Sequence, residues 1–325
     1  SSSQEDLTSG SDLVLVATNG SITVNGGTDT IGITVTNDIL LKASETAEGT
    51  TADITLNASV TSTTGNISLL STDNISQTAT GDITTSTSGK TIDLKADSAI
   101  FMSDGAKTTA NNGNVRYEAV SGDITVGGLS AGSGSISLVS GASIQDGGDT
   151  DVDLVSANLR ISAAIGAGTG ANHLETAVIT LSVNVGAGGL FITESDGITV
   201  DTVSNINVNR VKTDGAITDS TITDSAQSDL TSAGAIILQT TNGSITINEG
   251  DPDNTGLSAA DNILLKAQGT DSDITVNAST NSTSGHISVI ASDSITQTAN
   301  GDIQTTGSGT IDVSAITGSI TMADG

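Results

Sequence analysis

The chain has 325 residues, a formal net charge of −28, only 1% aromatic residues and no cysteine. Phosphate contacts need clustered Lys and Arg, so this charge excludes nucleic acid as an expected partner, and the lack of cysteine excludes disulfides and thiolate metal sites. A hydrophobic fraction of 35% is too high for a disordered chain. Since no apolar run approaches 18 residues, we expect no membrane insertion.

A five-residue motif recurs along the chain: Gly, a small polar residue, Ile or Val, Ser or Thr, and then an aliphatic residue. In chain order it reads GSITV (20–24), GNISL (65–69), GDITT (81–85), GNVRY (113–117), GDITV (122–126), GSISL (134–138), GSITI (243–247), GHISV (285–289), GDIQT (301–305) and GSITM (318–322). Apolar and polar residues alternate within each motif, which predicts a short strand with one buried face. No 3.6-residue period is sustained, so we expect little helix.

Short strands at this spacing fit either a string of β-sandwiches or a parallel β-solenoid. Sandwiches prefer a bulky aromatic or disulfide core, whereas a solenoid stacks the same aliphatic residue from coil to coil. The scarcity of aromatics therefore favours an all-β parallel β-helix (β-solenoid). At roughly 17–20 residues and about 4.8 Å per coil, it would be an elongated rod of about 80–90 Å. The expected core stack is Ile22, Ile67, Ile83, Ile124, Ile136, Ile245, Ile287 and Ile303.

A second repeat operates over a much longer distance. Residues 4–25 match 227–248, NDILLKA (37–43) matches DNILLKA (261–267), and ADITLNAS (52–59) matches SDITVNAS (272–279). We therefore predict a first repeat unit at 1–226 and the first part of a second copy at 227–325, within one continuous solenoid. Residues 159–200 depart from the pattern, which predicts a distorted region with an extra loop near 165–173; an inserted subdomain is the alternative. We expect the natural molecule to be a longer tandem array.

Two acidic segments are candidate calcium sites, because Ca²⁺ prefers hard oxygen ligands. DGGDTDVD (146–153) gathers Asp146, Asp149, Asp151 and Asp153. The same segment also fits a strand with Val152 and Leu154 inward and its acids in water. EGDPDNTG (249–256) supplies three acids on a loop, for which an acidic turn is the alternative interpretation.

No arrangement of residues indicates catalysis, because the arginines are isolated and the acids do not converge, so we expect no enzyme activity. His173 and His286 stand alone. Lys42 and Lys266 recur in ILLKA, where a strand-end lysine that guards a sheet edge is the simplest interpretation. The few aromatic residues are expected to plug wider parts of the core or to cover a coil surface, with sugar stacking as an alternative.

Several segments resemble a known family of very large bacterial surface proteins. These are GDITT followed by TIDL, SITMADG (319–325), and AAIGAGTGANHLETAV with GGLFITESDGITV. They are similar to the β-strand-repeat regions of filamentous-haemagglutinin-like adhesins. The resemblance implies a right-handed parallel β-helix, extracellular or on the bacterial cell surface, that acts as a stalk or fibre and contacts neighbouring repeats or copies of itself. A calcium-dependent adhesin module for glycans or a cell surface is the alternative; the family supplies no catalytic residues.

Overall fold

The computed structural model describes residues 6–46 and 50–324, and over this part of the chain all regular structure is β. No helix capable of crossing a membrane occurs in these residues. The chain forms two compact units, one of residues up to 149 together with 206–224, and one of 150–205 together with the residues from 225 onward. The predicted repeat boundary at 226/227 is defined by sequence similarity and not by contacts, so it stays a prediction.

The first seventeen strands all belong to the first unit. They are β1 (Leu7–Ser9), β2 (Leu13–Ala17), β3 (Ile22–Val24), β4 (Ile31–Val35), β5 (Ile39–Ala43), β6 (Ile54–Leu56), β7 (Ser59–Ser62), β8 (Ile67–Ser71), β9 (Ile75–Gln77), β10 (Ile83–Thr85), β11 (Ile92–Ala96), β12 (Ile100–Met102), β13 (Lys107–Ala110), β14 (Val115–Ala119), β15 (Ile124–Val126), β16 (Gly128–Ser140) and β17 (Ser143–Asp146).

The remaining strands belong to the second unit, except for β23 and β24, which are part of the first. They are β18 (Leu154–Ala163), β19 (Gly166–Ala167), β20 (Leu174–Val185), β21 (Gly189–Glu194), β22 (Ile198–Val200), β23 (Ile206–Asn209), β24 (Thr221–Asp224), β25 (Leu230–Ser232), β26 (Ile236–Thr240), β27 (Ile245–Ile247), β28 (Thr255–Ala259), β29 (Ile263–Ala267), β30 (Ile274–Val276), β31 (Ser279–Ser282), β32 (Ile287–Ala291), β33 (Ile295–Gln297), β34 (Ile303–Thr305), β35 (Ile311–Ala315) and β36 (Ile320–Met322).

Both units are parallel β-solenoids, which confirms the predicted fold class. In the first unit, one ladder stacks isoleucine on isoleucine through parallel pairs of β3, β6, β9, β12, β15 and β17; its members are Ile22, Ile54, Ile75, Ile100, Ile124 and Ile144. The second unit repeats this arrangement with Ile198, Ile245, Ile274, Ile295 and Ile320. Each isoleucine that such a stack buries contributes about 1.5–3 kcal/mol, so stability accumulates turn by turn.

The predicted core stack is buried with one exception. Ile22, Ile67, Ile83, Ile124, Ile136, Ile245 and Ile287 are at most 6% exposed. Ile303 is half-buried, because β34 pairs with β31 on one side and with no other described strand. A strand at the end of a stack has no following turn to cover its side chains.

The predicted coil length was wrong. Successive partners in the isoleucine ladder of the first unit are 20 to 32 residues apart. The error arose because motifs 16 residues apart were assigned to successive coils. Ile67 on β8 pairs with Ile39 and Ile92, whereas Ile83 on β10 pairs with Val60 and Thr108. The two motifs therefore lie on different faces, and each turn uses three strands.

Polar ladders run up the corners between strands. Asn66 N and Nδ2 both donate to Asp38 Oδ1, at 2.6 and 2.9 Å, and Thr91 N donates to Asn66 Oδ1 at 3.0 Å. In the second unit Ser294 N donates to Asp273 Oδ1 at 2.9 Å in the same way. Because these side chains occupy backbone donors that the strands leave unpaired, the Asn, Asp and Ser residues of the turns stabilise the stack.

The region that was predicted to be irregular remains a solenoid wall. β18 and β20 pair in parallel from Leu154↔Thr176 to Ala163↔Val185, and both strands extend around a corner. The extra loop lies at residues 168–173 and is closed by a bridge between Thr169 and Asn172. The larger departure from the solenoid is the hairpin of β23 and β24, which the sequence did not reveal.

Candidate functional site

The most distinctive local structure is a hairpin that covers one outer face of the first unit. β23 and β24 pair antiparallel from Ile206↔Asp224 to Asn209↔Thr221. The backbone N–H of Val211 donates to Ser68 Oγ at 2.9 Å, and that of Asn209 donates to Thr91 Oγ1 at 2.8 Å. These contacts hold the hairpin against a part of the solenoid wall that lies more than 100 residues earlier in the chain.

The hairpin explains an anomaly in the burial pattern of this face. Outward-pointing residues on a solenoid wall should be exposed, since they alternate with core residues. On this face β5, β8, β11, β14 and β16 stack on one another, and one outward residue of each is buried: Leu40, Ser68, Asp93, Arg116 and Ser137. The hairpin adds three apolar residues that are also buried, Ile206, Val208 and Val211. The contact is thus a small second core outside the coil.

A buried ionic network joins the hairpin to the wall. Asp93 is fully buried; its Oδ2 accepts from Arg210 Nε at 2.6 Å, and its Oδ1 lies 3.4 Å from Arg116 Nη1. Arg116 also contacts Asp224 Oδ2 at 2.9 Å and Glu118 Oε2 at 3.1 Å. Burial by itself lowers the pKa of Arg116, but the surrounding carboxylates of Asp224, Asp93 and Glu118 outweigh burial and raise it.

A shallow groove runs beside the hairpin and concentrates positive charge. Its two adjoining depressions, of about 190 and 270 Å³, share Lys42, Leu70 and Arg210. Lys95 lines the first depression and Lys212 the second. Four of the nine basic residues of the chain therefore meet here, although they are spread over 171 positions of the sequence.

The chemistry of this basic groove suits an anion with an apolar body. Lys42 forms no ion pair with any described residue, and Lys95 Nζ is 3.8 Å from Glu118 and 4.0 Å from Asp97. Nη2 of Arg210 is buried and has no hydrogen-bond partner in the described part of the chain. Leu70 contributes an apolar surface between these charges. Carboxylate or sulfate groups are the natural partners of such a set.

The interpretation of Lys42 and Lys266 as guards of a sheet edge was wrong. β5 lies between β2 and β8, and β29 lies between β26 and β32. Both lysines therefore stand on inner strands, where no strand edge needs protection. Lys42 instead faces the basic groove.

The four acids predicted to bind calcium are divided between the two units. Asp146 ends β17 in the first unit and is buried, with Oδ2 accepting from Gly148 N at 2.9 Å. Asp149 and Asp151 follow in a turn, while Asp153 in the second unit is buried at 4% exposure. The alternative strand pattern is wrong at Val152, which is 41% exposed, whereas Leu154 is buried as that pattern expects. Since β18 begins at Leu154, the preceding acids lie in a turn. Calcium binding by these four residues stays a prediction.

His286, Tyr117 and Phe101 take part in the ladder, the core and the coil surface, respectively. His286 Nδ1 accepts from Thr310 N at 3.1 Å, in the ladder position that Asn66 occupies in the first copy. Tyr117 is fully buried and donates to Gln77 Oε1 at 2.7 Å, which confirms that it plugs the core. Phe101 is 50% exposed on β12, where it covers the coil surface.

No family model, curated protein or solved structure matches the chain. Its relationship to known proteins therefore rests on architecture: it is a tandemly repeated parallel β-solenoid.

Proposed function

We propose that the chain is a structural and interaction segment of a large extracellular bacterial protein of the filamentous-haemagglutinin-like type, forming a stiff stalk or fibre. The observation that carries this proposal is the register of the isoleucine ladders, in which each turn buries the same residue type on the turn before it. A wall built in this way is lengthened by copying turns, which gives reach and stiffness without any change in chemistry. Its partners are neighbouring repeats or copies of itself.

Electron microscopy of the native material tests this function. We expect extended filaments that are labelled at intervals by an antibody raised against residues 1–325. The same antibody should label intact cells of the source bacterium without permeabilisation. Isolated globular particles, or labelling only after permeabilisation, would contradict the proposal.

A second candidate function is binding of acidic glycans, and the basic groove is the observation that favours it. The chain has a net charge of −28, but four basic side chains around Leu70 form a local positive patch. Such a patch suits uronic acids or sulfated sugars. We include no catalytic role in either proposal, because the acids beside the groove, the buried Asp93 and the half-buried Glu118, are held in ion pairs with Arg116.

A glycan array with and without EDTA tests the second candidate. We expect acidic glycans to bind equally well in both conditions, and Lys42→Ala to weaken this binding at least tenfold. Lys266→Ala is the matched control, because Lys266 holds the same ILLKA position in the second copy. Binding that vanishes with EDTA would show that a calcium-dependent surface recognises the glycans instead. Equal loss of binding in Lys42→Ala and Lys266→Ala would show that the groove does not bind them.

A further inference from the structure

Three aspartates of the second unit converge although they are distant in sequence. Asp229 immediately precedes β25, and Asp251 and Asp253 lie in the loop between β27 and β28. Because β25 and β28 pair in parallel, with Leu230 opposite Leu257, the two segments start side by side on consecutive turns. One carboxylate oxygen from each aspartate lies within 4.8 Å of the other two.

One carboxylate oxygen of the buried member of this cluster has no hydrogen-bond donor among the described residues. Asp229 is only 7% exposed, and its Oδ1 is buried without a hydrogen bond from any described residue. In the same part of the chain, none of the three carboxylates forms an ion pair. A buried, unpaired carboxylate that faces two others is costly to fold unless a cation compensates it.

We propose that Asp229, Asp251 and Asp253 bind a divalent cation, and that the cation is Ca²⁺. Ca²⁺ accepts carboxylate oxygens in a flexible geometry, whereas Mg²⁺ demands a near-ideal octahedron and is usually bound through only one or two carboxylates. A group of three carboxylates from two separate segments therefore suits Ca²⁺ better. Glu249 stands at the start of the same loop, and water completes the six to eight oxygens that Ca²⁺ takes. The ion ties the loop to the preceding turn.

The first copy of the repeat provides an internal comparison. Asp6 corresponds to Asp229, and Asp29 corresponds to Asp253, since Asp29 Oδ1 accepts from Ile31 N at 2.8 Å as Asp253 Oδ1 accepts from Thr255 N at 2.7 Å. The loop NGGTDT (25–30) contains one acid, whereas NEGDPDN (248–254) contains three. The loop of the second copy thus has two acids that the loop of the first copy lacks.

Calcium titration of the full chain by calorimetry tests the site. After dialysis against EGTA, we expect Asp251→Asn to remove one equivalent of bound Ca²⁺, or to weaken it at least tenfold. Asp251 is exposed, so this variant should fold normally. Asp29→Asn, at the matched loop of the first copy, should leave the wild-type isotherm unchanged. A wild-type chain that binds no Ca²⁺ at millimolar concentration, or identical isotherms for wild type and Asp251→Asn, would overturn the proposal.

Asp229→Asn provides a second readout that does not depend on stoichiometry. Without Ca²⁺ the variant should melt at a higher temperature than wild type, because it removes a buried repulsive charge. It should also lose the rise in melting temperature that Ca²⁺ gives the wild type. A variant that melts lower in EGTA and keeps the full calcium response would contradict the assignment.

Discussion

Replacing Asp93 by alanine should release the hairpin from the first unit while the solenoid stays folded. The change removes the 2.6 Å contact to Arg210 Nε and the 3.4 Å contact to Arg116 Nη1. Arg116 retains Asp224 and Glu118, whereas Arg210 loses its only ion pair among the described residues. Removing one partner of a buried ion pair costs about 3–5 kcal/mol. Since the Arg210 side chain is 22% exposed and regains water in part, we expect the lower value, about 3 kcal/mol.

Hydrogen exchange of the β23 and β24 amides measures this effect directly. A change of about 3 kcal/mol in local opening corresponds to roughly 150-fold faster exchange. Amides of β6, in the core of the same unit, should keep their wild-type protection, and trypsin should cleave faster after Arg210 and Lys212. Asp97→Ala is the matched control, because its carboxylate is 50% exposed and 4.0 Å from Lys95. Wild-type exchange in the hairpin of Asp93→Ala would refute the view that this network holds it.

Three further predictions concern single buried or laddered groups. Burial raises the pKa of Glu194 from 4.5 to about 7, so its contribution to stability is present below pH 4.5 and lost as pH rises to about 7. In the wild type, the free energy of unfolding in urea should therefore fall by about 3 kcal/mol between pH 5 and pH 8. Glu194→Gln should abolish this fall. Tyr117→Phe should lower the free energy of unfolding by about 1–2 kcal/mol, because Gln77 Oε1 loses the hydroxyl that donates to it at 2.7 Å. Urea unfolding monitored by circular dichroism measures this change. His286→Ala should speed hydrogen exchange of the Thr310 amide about fivefold, because the loss of one hydrogen bond lowers the free energy of local opening by about 1 kcal/mol. His286→Asn should leave this exchange unchanged, because Asn66 accepts the corresponding hydrogen bond in the first copy. An unchanged Thr310 amide in His286→Ala would show that the ladder bond is not formed in solution.

The alternation of polar and apolar residues was sufficient to predict the fold class and most of the core. Ile22, Ile67 and Ile124 are recognisable as core residues because a buried strand face imposes period two on the sequence. The length of a turn was not recognisable in this way, because the same motif occurs on all three faces, and only strand pairing separates Ile67 from Ile83.

The sites depended on contacts between residues that are distant in the chain. Arg210 meets Asp93 across 117 positions, and Lys42 meets Lys212 across 170, so no local pattern could indicate the hairpin or the basic groove. Asp229 joins Asp251 and Asp253 only because parallel strands on consecutive turns begin side by side. The sequence by itself determined which residues face the core, since burial on a strand follows from periodicity. Only the tertiary structure decided which surface residues become neighbours, because the solenoid winds separated segments into register.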